Sequence, residues 1–109
     1  MSTDRLNQLL DLLEKDPLDS FLIFAIAKEY ESIPQLDNAL QYYLQLKKND
    51  PDYIGLYYHL GKLYEGIGHN NSAIEHYKKG IEIGKRISDF HAVSELQSAL
   101  MNLEITLGN

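Results

Sequence analysis

The sequence predicts an all-α protein made of repeated helical hairpins, and two observations lead to this prediction. The chain matches itself at a shift of 34 residues, which aligns Tyr30 with Tyr64 and Tyr43 with Tyr77. In both copies the apolar residues follow the three- and four-residue spacing of an amphipathic helix. A fixed period of this size is typical of supersecondary units that stack on one another.

Each copy of the repeat divides into two helices joined by a short polar turn. The first helix ends at a breaker residue, Pro34 in the first copy and Gly68 in the second. After the turn, Asp37 and Asn71 stand where a side chain is expected to cap the second helix. The second helix of the first copy ends before Pro51, because proline disfavours helical geometry in the preceding residue.

One further helix is predicted on each side of the two copies. Residues 4–15 carry leucines on one face and align with the second helix of a repeat, so they resemble half a unit. Residues 89–106 align with the first helix of a repeat when two extra residues are allowed in the preceding turn. We therefore expect a single domain over residues 1–109. Its parts are an N-terminal half-repeat, two repeats and a C-terminal capping helix, at residues 1–16, 17–50, 51–84 and 85–109.

Small and aromatic residues recur at matching positions of the two copies. They are Ile23, Ile26, Ala27, Tyr30, Ala39, Tyr43 and Pro51 in the first copy, and Tyr57, Leu60, Gly61, Tyr64, Gly68, Ala73 and Tyr77 in the second. This spacing resembles the tetratricopeptide repeat, a family of 34-residue helical hairpins. Lys85 stands where the second copy's proline belongs, so the helix before it is expected to run on. The resemblance implies a right-handed α-solenoid of antiparallel helix pairs, with about six helices.

A glycine inside a helix indicates where the two helices of a repeat approach each other. Gly61 costs its helix about 1 kcal/mol relative to alanine, and Ala27 is the small residue at the same position of the first copy. We expect the neighbouring helix to come close at this point, with Tyr64 and Tyr77 filling the space between the helices.

Composition and charge argue against several classes of function. The net charge of −6 argues against nucleic acid as a partner, because contact with phosphates requires a surplus of Lys and Arg. The absence of cysteine excludes disulfides and thiolate metal sites. No apolar run is long enough to cross a bilayer and the N-terminal helix is charged, so a cytoplasmic protein with no membrane partner is predicted.

The polar residues form no recognisable catalytic or metal site. His69 and His76 lie seven residues apart, one in a turn and one on a helix, and are interpreted as surface histidines rather than ligands. No Ser/His/Asp combination or carboxylate pair stands at a catalytic spacing. We therefore expect a protein without enzymatic activity, metal or cofactor.

A second stripe of residues on the first helix of each repeat indicates where a partner would bind. In this architecture those helices line the concave face, a surface that typically binds other proteins. An aromatic residue, a lysine and a glutamate recur there in both copies. The predicted peptide-binding groove comprises Phe21, Phe24, Lys28 and Glu31 from the first copy, Tyr58, His59, Lys62 and Glu65 from the second, and His91, Ser94 and Ser98 from the closing helix, where Met101 follows on the same stripe.

The same stripe also has a purely structural interpretation. Phe21 and Phe24 would then pack against the N-terminal helix, and the lysines and glutamates would be solvated helical pairs. A protein or peptide partner is the leading prediction. Homodimerisation through the end helices is the alternative, and RNA binding by helical hairpins is a third reading. The chaperone-binding subset of the family has basic and asparagine residues where this chain has Phe24, Lys28 and His59, so that function is not expected.

Overall fold

The computed structural model describes residues 2–108, which form six helices and no strand. The helices are α1 Ser2–Lys15, α2 Ser20–Ser32, α3 Leu36–Asn49, α4 Gly55–Gly66, α5 Asn70–Arg86 and α6 Phe90–Gly108. This confirms the all-α prediction. Met1 and Asn109, the ends of the expected domain, lie outside the described residues. None of the six helices combines the length and the apolar character needed to cross a membrane.

The chain divides into two compact units between Tyr53 and Ile54. In the first unit, α2 and α3 form a hairpin across a three-residue turn, and α1 packs on α2. Leucines of α1 meet alanine and isoleucine of α2 in an apolar core, which is closed at one side by Tyr30 stacked on Tyr42 at 5.6 Å. Arg5 of α1 donates to Glu29 of α2 over 2.8 Å at the rim.

In the second unit, α4 and α5 form the equivalent hairpin, and α6 packs on α5 and also touches α4. The expected close approach of helices at Gly61 is confirmed, because a Cβ on this residue would overlap the buried Tyr77 ring, with Tyr77 Cδ1 at 2.7 Å. Gly80 makes the second close contact. A Cβ there would lie 2.7 Å from the Cβ of Tyr57 and 2.9 Å from Leu96 Cδ1. These two glycines let the three helices pack tightly.

The helix expected to run on does so. α5 has 17 residues, whereas its counterpart α3 has 14. The longer helix ends at Arg86 with Ile87 as its C-cap, and Ser88 follows with φ of 61°, in the left-handed region that Gly68 occupies in the turn before α5. This conformation is strained for a residue with a Cβ. The backbone is therefore strained at Ser88, in the turn after which α6 packs on α5.

The predicted helix caps Asp37 and Asn71 are wrong. The N-cap positions of α3 and α5 are Gln35 and His69, and neither side chain makes a capping hydrogen bond with a backbone amide of its helix. Asp37 and Asn71 lie in the first turns, because both helices start earlier than expected.

Two aspartates before other helices do cap them. Asp19 Oδ1 accepts from the amide of Leu22 at the start of α2, over 3.0 Å. Asp89 Oδ1 accepts from the amide of Ala92 at the start of α6, over 3.1 Å. Each aspartate satisfies one of the amides that a helix N-terminus leaves unpaired.

His76 is not a surface histidine, which corrects the sequence-based interpretation, whereas His69 is exposed as expected. The imidazole of His76 is 6% exposed, and its Nδ1 donates to the Ser72 carbonyl over 2.7 Å. The ring lies 5.2 Å from that of Tyr64. Tyr64 is correspondingly half-buried rather than a full core residue. The hydrogen bond within α5 allows the histidine to be buried, because it satisfies one ring nitrogen inside the protein.

Candidate functional site

The predicted stripe on α2 has an exposed end and a half-buried centre. Phe21 is 65% exposed, so the interpretation that it packs against the N-terminal helix is wrong. Phe24 is half-buried, with its ring 6.1 Å from that of Tyr43 and 5.1 Å from that of Tyr53. The ammonium group of Lys28 lies 5.5 Å from the Phe24 ring centroid, within the range of a cation–π interaction.

The glutamates of the stripe accept hydrogen bonds from buried tyrosines of the neighbouring helices. The Tyr43 hydroxyl donates to Glu31 Oε2 over 2.7 Å, and the Tyr77 hydroxyl donates to Glu65 Oε2. Burial raises the pKa of both tyrosines far above the ordinary value, and the hydrogen bonds to carboxylates raise it further. Burial also raises the pKa of Glu31, while its bond from Tyr43 opposes that shift. These glutamates are therefore more than solvated partners of the lysines.

A polar depression of about 300 Å³ lies between α4 and α6 in the second unit. It gathers five of the predicted groove residues and three further ones, namely Tyr58, Lys62, His91, Ser94 and Ser98 together with Glu95, Ala99 and Asn102. Ser94, Ser98 and Asn102 are spaced four residues apart, so they form a row of hydroxyl and amide groups along one face of α6. Such groups can both donate and accept hydrogen bonds.

A second depression of about 270 Å³ adjoins the first, because Tyr58 and Glu95 line both of them. Its remaining lining is more apolar and consists of Ile54, Gly55, His59, Ala92 and Leu96. The Tyr58 ring stands edge-on to that of His59, at 5.6 Å and 84°. We call the two depressions together the α4–α6 cleft.

The charges of the α4–α6 cleft are paired to different degrees. Lys62 Nζ lies 3.7 Å from Glu65, so its positive charge has a carboxylate partner on the same helix. Glu95 lies 3.5 Å from His91 Nε2, a partner that carries charge only when it is protonated. The Glu95 side chain is 56% exposed. The negative charge of Glu95 is therefore paired only with a group whose own charge depends on protonation, whereas Lys62 faces a carboxylate.

Sequence reasoning missed Glu95 and Asn102. The sequence did contain a signal for Glu95. When two extra residues are allowed in the turn before α6, α6 aligns with α4 and Glu95 aligns with His59, a residue already assigned to the groove. Met101 follows the predicted stripe but is 56% exposed and lines neither depression. The four predicted residues of the first unit lie together on α2, namely Phe21, Phe24, Lys28 and Glu31.

The cleft has the features of a recognition surface. Its open shape, one aromatic side chain, an apolar end and a row of polar groups suit contact with a peptide segment. Across residues 2–108, no group of three or more His, Asp or Glu side chains is arranged to hold a metal ion.

Comparison with known proteins agrees with this fold. A family model described as tetratricopeptide repeat matches residues 54–83. The crystal structure of a tetratricopeptide repeat domain protein from Salinibacter ruber is 40% identical in sequence and superimposes with a TM-score of 0.76, covering 79% of this chain and 96% of that one. The chain therefore belongs to the tetratricopeptide repeat family. Repeats of this family typically serve as scaffolds without enzymatic activity.

Two other solved structures share the fold. A protein from Bordetella parapertussis is 27% identical with a TM-score of 0.81, over 93% of this chain and 88% of that one. The type III secretion translocator chaperone SycD from Yersinia enterocolitica is 16% identical with a TM-score of 0.90, over 99% of this chain and 75% of that one, and shows the fold alone. A search of curated proteins found no match.

Proposed function

We propose that this protein is a non-catalytic interaction scaffold that binds a peptide or a partner protein on the first helices of its repeats. The observation that carries the proposal is the α4–α6 cleft, in which two adjoining depressions combine an aromatic side chain, an apolar end and a polar row. The scaffold role typical of the family supports it. The contacting residues proposed in the second unit are Tyr58, His59, Lys62, Glu65, His91, Ser94 and Ser98.

The corresponding face of α2 is proposed as a second contact surface. Phe21 presents an exposed aromatic ring, and Lys28 covers the ring of Phe24. Aromatic anchors supply much of the binding energy at protein interfaces. Glu31 is the last proposed contact residue of this face, and its carboxylate also accepts a hydrogen bond from Tyr43.

Affinity capture from the native cells tests the proposal. The wild-type chain is compared with Tyr58→Ala and with Ser98→Gln, which fills the polar depression from an exposed position. Leu18→Ala is the matched control, since Leu18 is an exposed apolar residue that lines neither depression and lies on no proposed contact surface. We expect the same partners with wild type and control and their loss with both cleft variants, at unchanged helicity. Retention of the partners by both cleft variants would contradict the proposal.

Self-association is a second candidate function, favoured by a row of exposed apolar residues on α6. Phe90, Met101 and Ile105 are 64%, 56% and 57% exposed. Their separations of eleven and four residues bring them to one side of the helix. A second copy that packs on this row would form a homodimer. Size-exclusion chromatography with light scattering tests it, and a mass that stays monomeric at all concentrations would exclude it.

We also propose a cytoplasmic location for this protein. We propose that its repeats are organised as an N-terminal half-repeat, two repeats and a C-terminal capping helix, at residues 1–16, 17–50, 51–84 and 85–109. The net charge of −6 supports a protein partner over RNA.

A further inference from the structure

We infer that the α4–α6 cleft selects peptide segments that carry a basic side chain close to an apolar one. The inference rests on the proposed function and specifies the chemistry of its ligand. Three observations carry it: the neighbourhood of the two depressions, the uneven pairing of their charges, and the row of polar groups on α6.

The first observation concerns the geometry of the cleft. Glu95 and Tyr58 border both depressions, so a ligand group at Glu95 has the apolar depression directly beside it. Ile54 and Ala92, which are half-buried, offer aliphatic surface in that depression, whereas Leu96 beneath them is already fully buried. An apolar side chain placed there removes its own surface and that of Ile54 and Ala92 from water. A ligand that fills the apolar depression therefore brings its neighbouring side chain to Glu95.

The second observation concerns charge. Lys62 has Glu65 as a partner at 3.7 Å, whereas the partner of Glu95 is an imidazole at 3.5 Å that is charged only when protonated. An acidic ligand side chain would meet the Glu95 carboxylate as a like charge. A lysine or arginine would supply a positive charge beside Glu95, whereas the positive charge of Lys62 is paired with Glu65. The net charge of −6 adds a long-range attraction for basic segments.

The third observation concerns the ligand main chain. Ser94, Ser98 and Asn102 face the polar depression from successive turns of α6, and Lys62 faces it from α4. Hydroxyl, amide and ammonium groups bind peptide N–H and C=O groups without selecting a side chain. This row of polar groups therefore binds the backbone of the ligand, while Glu95 and the apolar depression determine which ligand side chains are preferred.

Selection from a positional-scanning library of N-acetylated, C-amidated nonapeptides on the immobilised full chain tests the inference. The terminal caps remove the end charges, so only side chains decide the selection. We expect lysine or arginine to be enriched next to aliphatic residues. The best peptide is then synthesised with a fluorophore, and its Kd is measured for wild type, Glu95→Gln, Glu95→Lys and Glu104→Gln. Glu104 is the matched control, an exposed glutamate of α6 that lines neither depression.

The inference predicts that Glu95→Gln weakens binding by about two- to fivefold, the range of an exposed ion pair. Glu95→Lys is expected to favour acidic peptides, Glu104→Gln to bind as wild type, and added salt to weaken the wild-type complex. Enrichment of acidic or uncharged peptides, or an unchanged Kd in Glu95→Gln, would overturn the inference. If those peptides still require Tyr58, the proposed binding function survives. Selection of no peptide, or binding that Tyr58→Ala and Ser98→Gln both leave intact, would remove the proposed cleft function as well.

Discussion

The Tyr43 hydroxyl donates a hydrogen bond to the carboxylate of Glu31 over 2.7 Å, joining the second helix of a repeat to the first. Tyr77 and Glu65 make the same connection 34 residues later. In each hairpin, a buried aromatic ring thus finds a partner for its one polar atom at the edge of the core. The glutamate belongs to the stripe that we propose as a contact surface, so the core and the binding face share a residue.

The Tyr–Glu hydrogen bond makes a measurable contribution to stability. We expect Tyr43→Phe to lower the free energy of unfolding by about 1–2 kcal/mol, because a bond to a charged group is lost while water still reaches the half-buried Glu31. Glu31→Gln keeps an acceptor and should cost less. Tyr58→Phe is the control, since none of the described hydrogen bonds uses its hydroxyl. Denaturant unfolding measures all three, and equal stability of Tyr43→Phe and wild type would show that the bond contributes nothing.

The same tyrosines predict a loss of stability at alkaline pH. Burial and the bonded carboxylates raise the pKa of Tyr43 and Tyr77 far above the ordinary value of 10. Above pH 10 the unfolded chain releases these protons while the folded chain keeps them, so stability falls as pH rises. Each tyrosine should add a slope that approaches about 1.4 kcal/mol per pH unit.

Unfolding curves at several values between pH 8 and 11 measure this slope. The double variant Tyr43→Phe/Tyr77→Phe lacks both protons, so its stability should fall less steeply than that of wild type. Ionisation of the other tyrosines and of the lysines is common to both proteins and cancels in the comparison. Parallel curves would contradict the assignment of raised pKa values to these two residues.

The close helix contact at Gly80 predicts an unfavourable Gly80→Ala substitution. Alanine is the better helix former, but its Cβ would lie 2.7 Å from that of Tyr57 and 2.9 Å from Leu96 Cδ1. We expect a loss of roughly 1–3 kcal/mol from overpacking. At Gly66 no heavy atom lies within 4 Å of an added Cβ, so Gly66→Ala should be neutral or stabilising by up to about 1 kcal/mol. Thermal unfolding of the two glycine variants measures both effects. A Gly80→Ala variant more stable than wild type would show that the helices have room to move apart.

The helix caps predict a contrast between two polar residues at helix starts. Asp89→Ala removes the bond to the Ala92 amide and should cost about 1 kcal/mol of unfolding free energy. Asn71→Ala changes a residue inside the first turn of α5, where no capping bond is lost, and should cost less than half as much. Urea denaturation compares them. A larger effect at Asn71 would restore the sequence-based capping prediction.

Much of the fold could be predicted from sequence because its main determinants repeat. The shift of 34 residues aligns Tyr43 with Tyr77 and reveals both hairpins, and the small residue at Gly61 indicates the helix contact. The start of α5 was misplaced because an asparagine suits both a cap and a first turn. The burial of His76 was missed because its hydrogen bond to a backbone carbonyl leaves no sequence signal.

The candidate site was predicted only in part, since it depends on contacts between helices. The stripe identified Tyr58, Lys62 and Ser98, which the structure brings to one depression. That Glu31 receives a tyrosine hydroxyl follows from the packing of α3 on α2, which the spacing along one helix does not reveal. Glu95 was not predicted because the alignment of α6 with α4 was used only for the residues of the stripe. It was not used for His59 beside the stripe, with which Glu95 aligns.

Backbone amide chemical-shift mapping tests the central claim that the α4–α6 cleft is the binding surface. The isotopically labelled chain is titrated with the partner fragment recovered by affinity capture. We predict that the largest shifts fall at Tyr58 and Lys62 of α4 and at Ala92, Glu95 and Ser98 of α6, and that Tyr58→Ala removes them. Shifts confined to the exposed apolar row of Phe90, Met101 and Ile105, with the cleft unchanged, would contradict the claim.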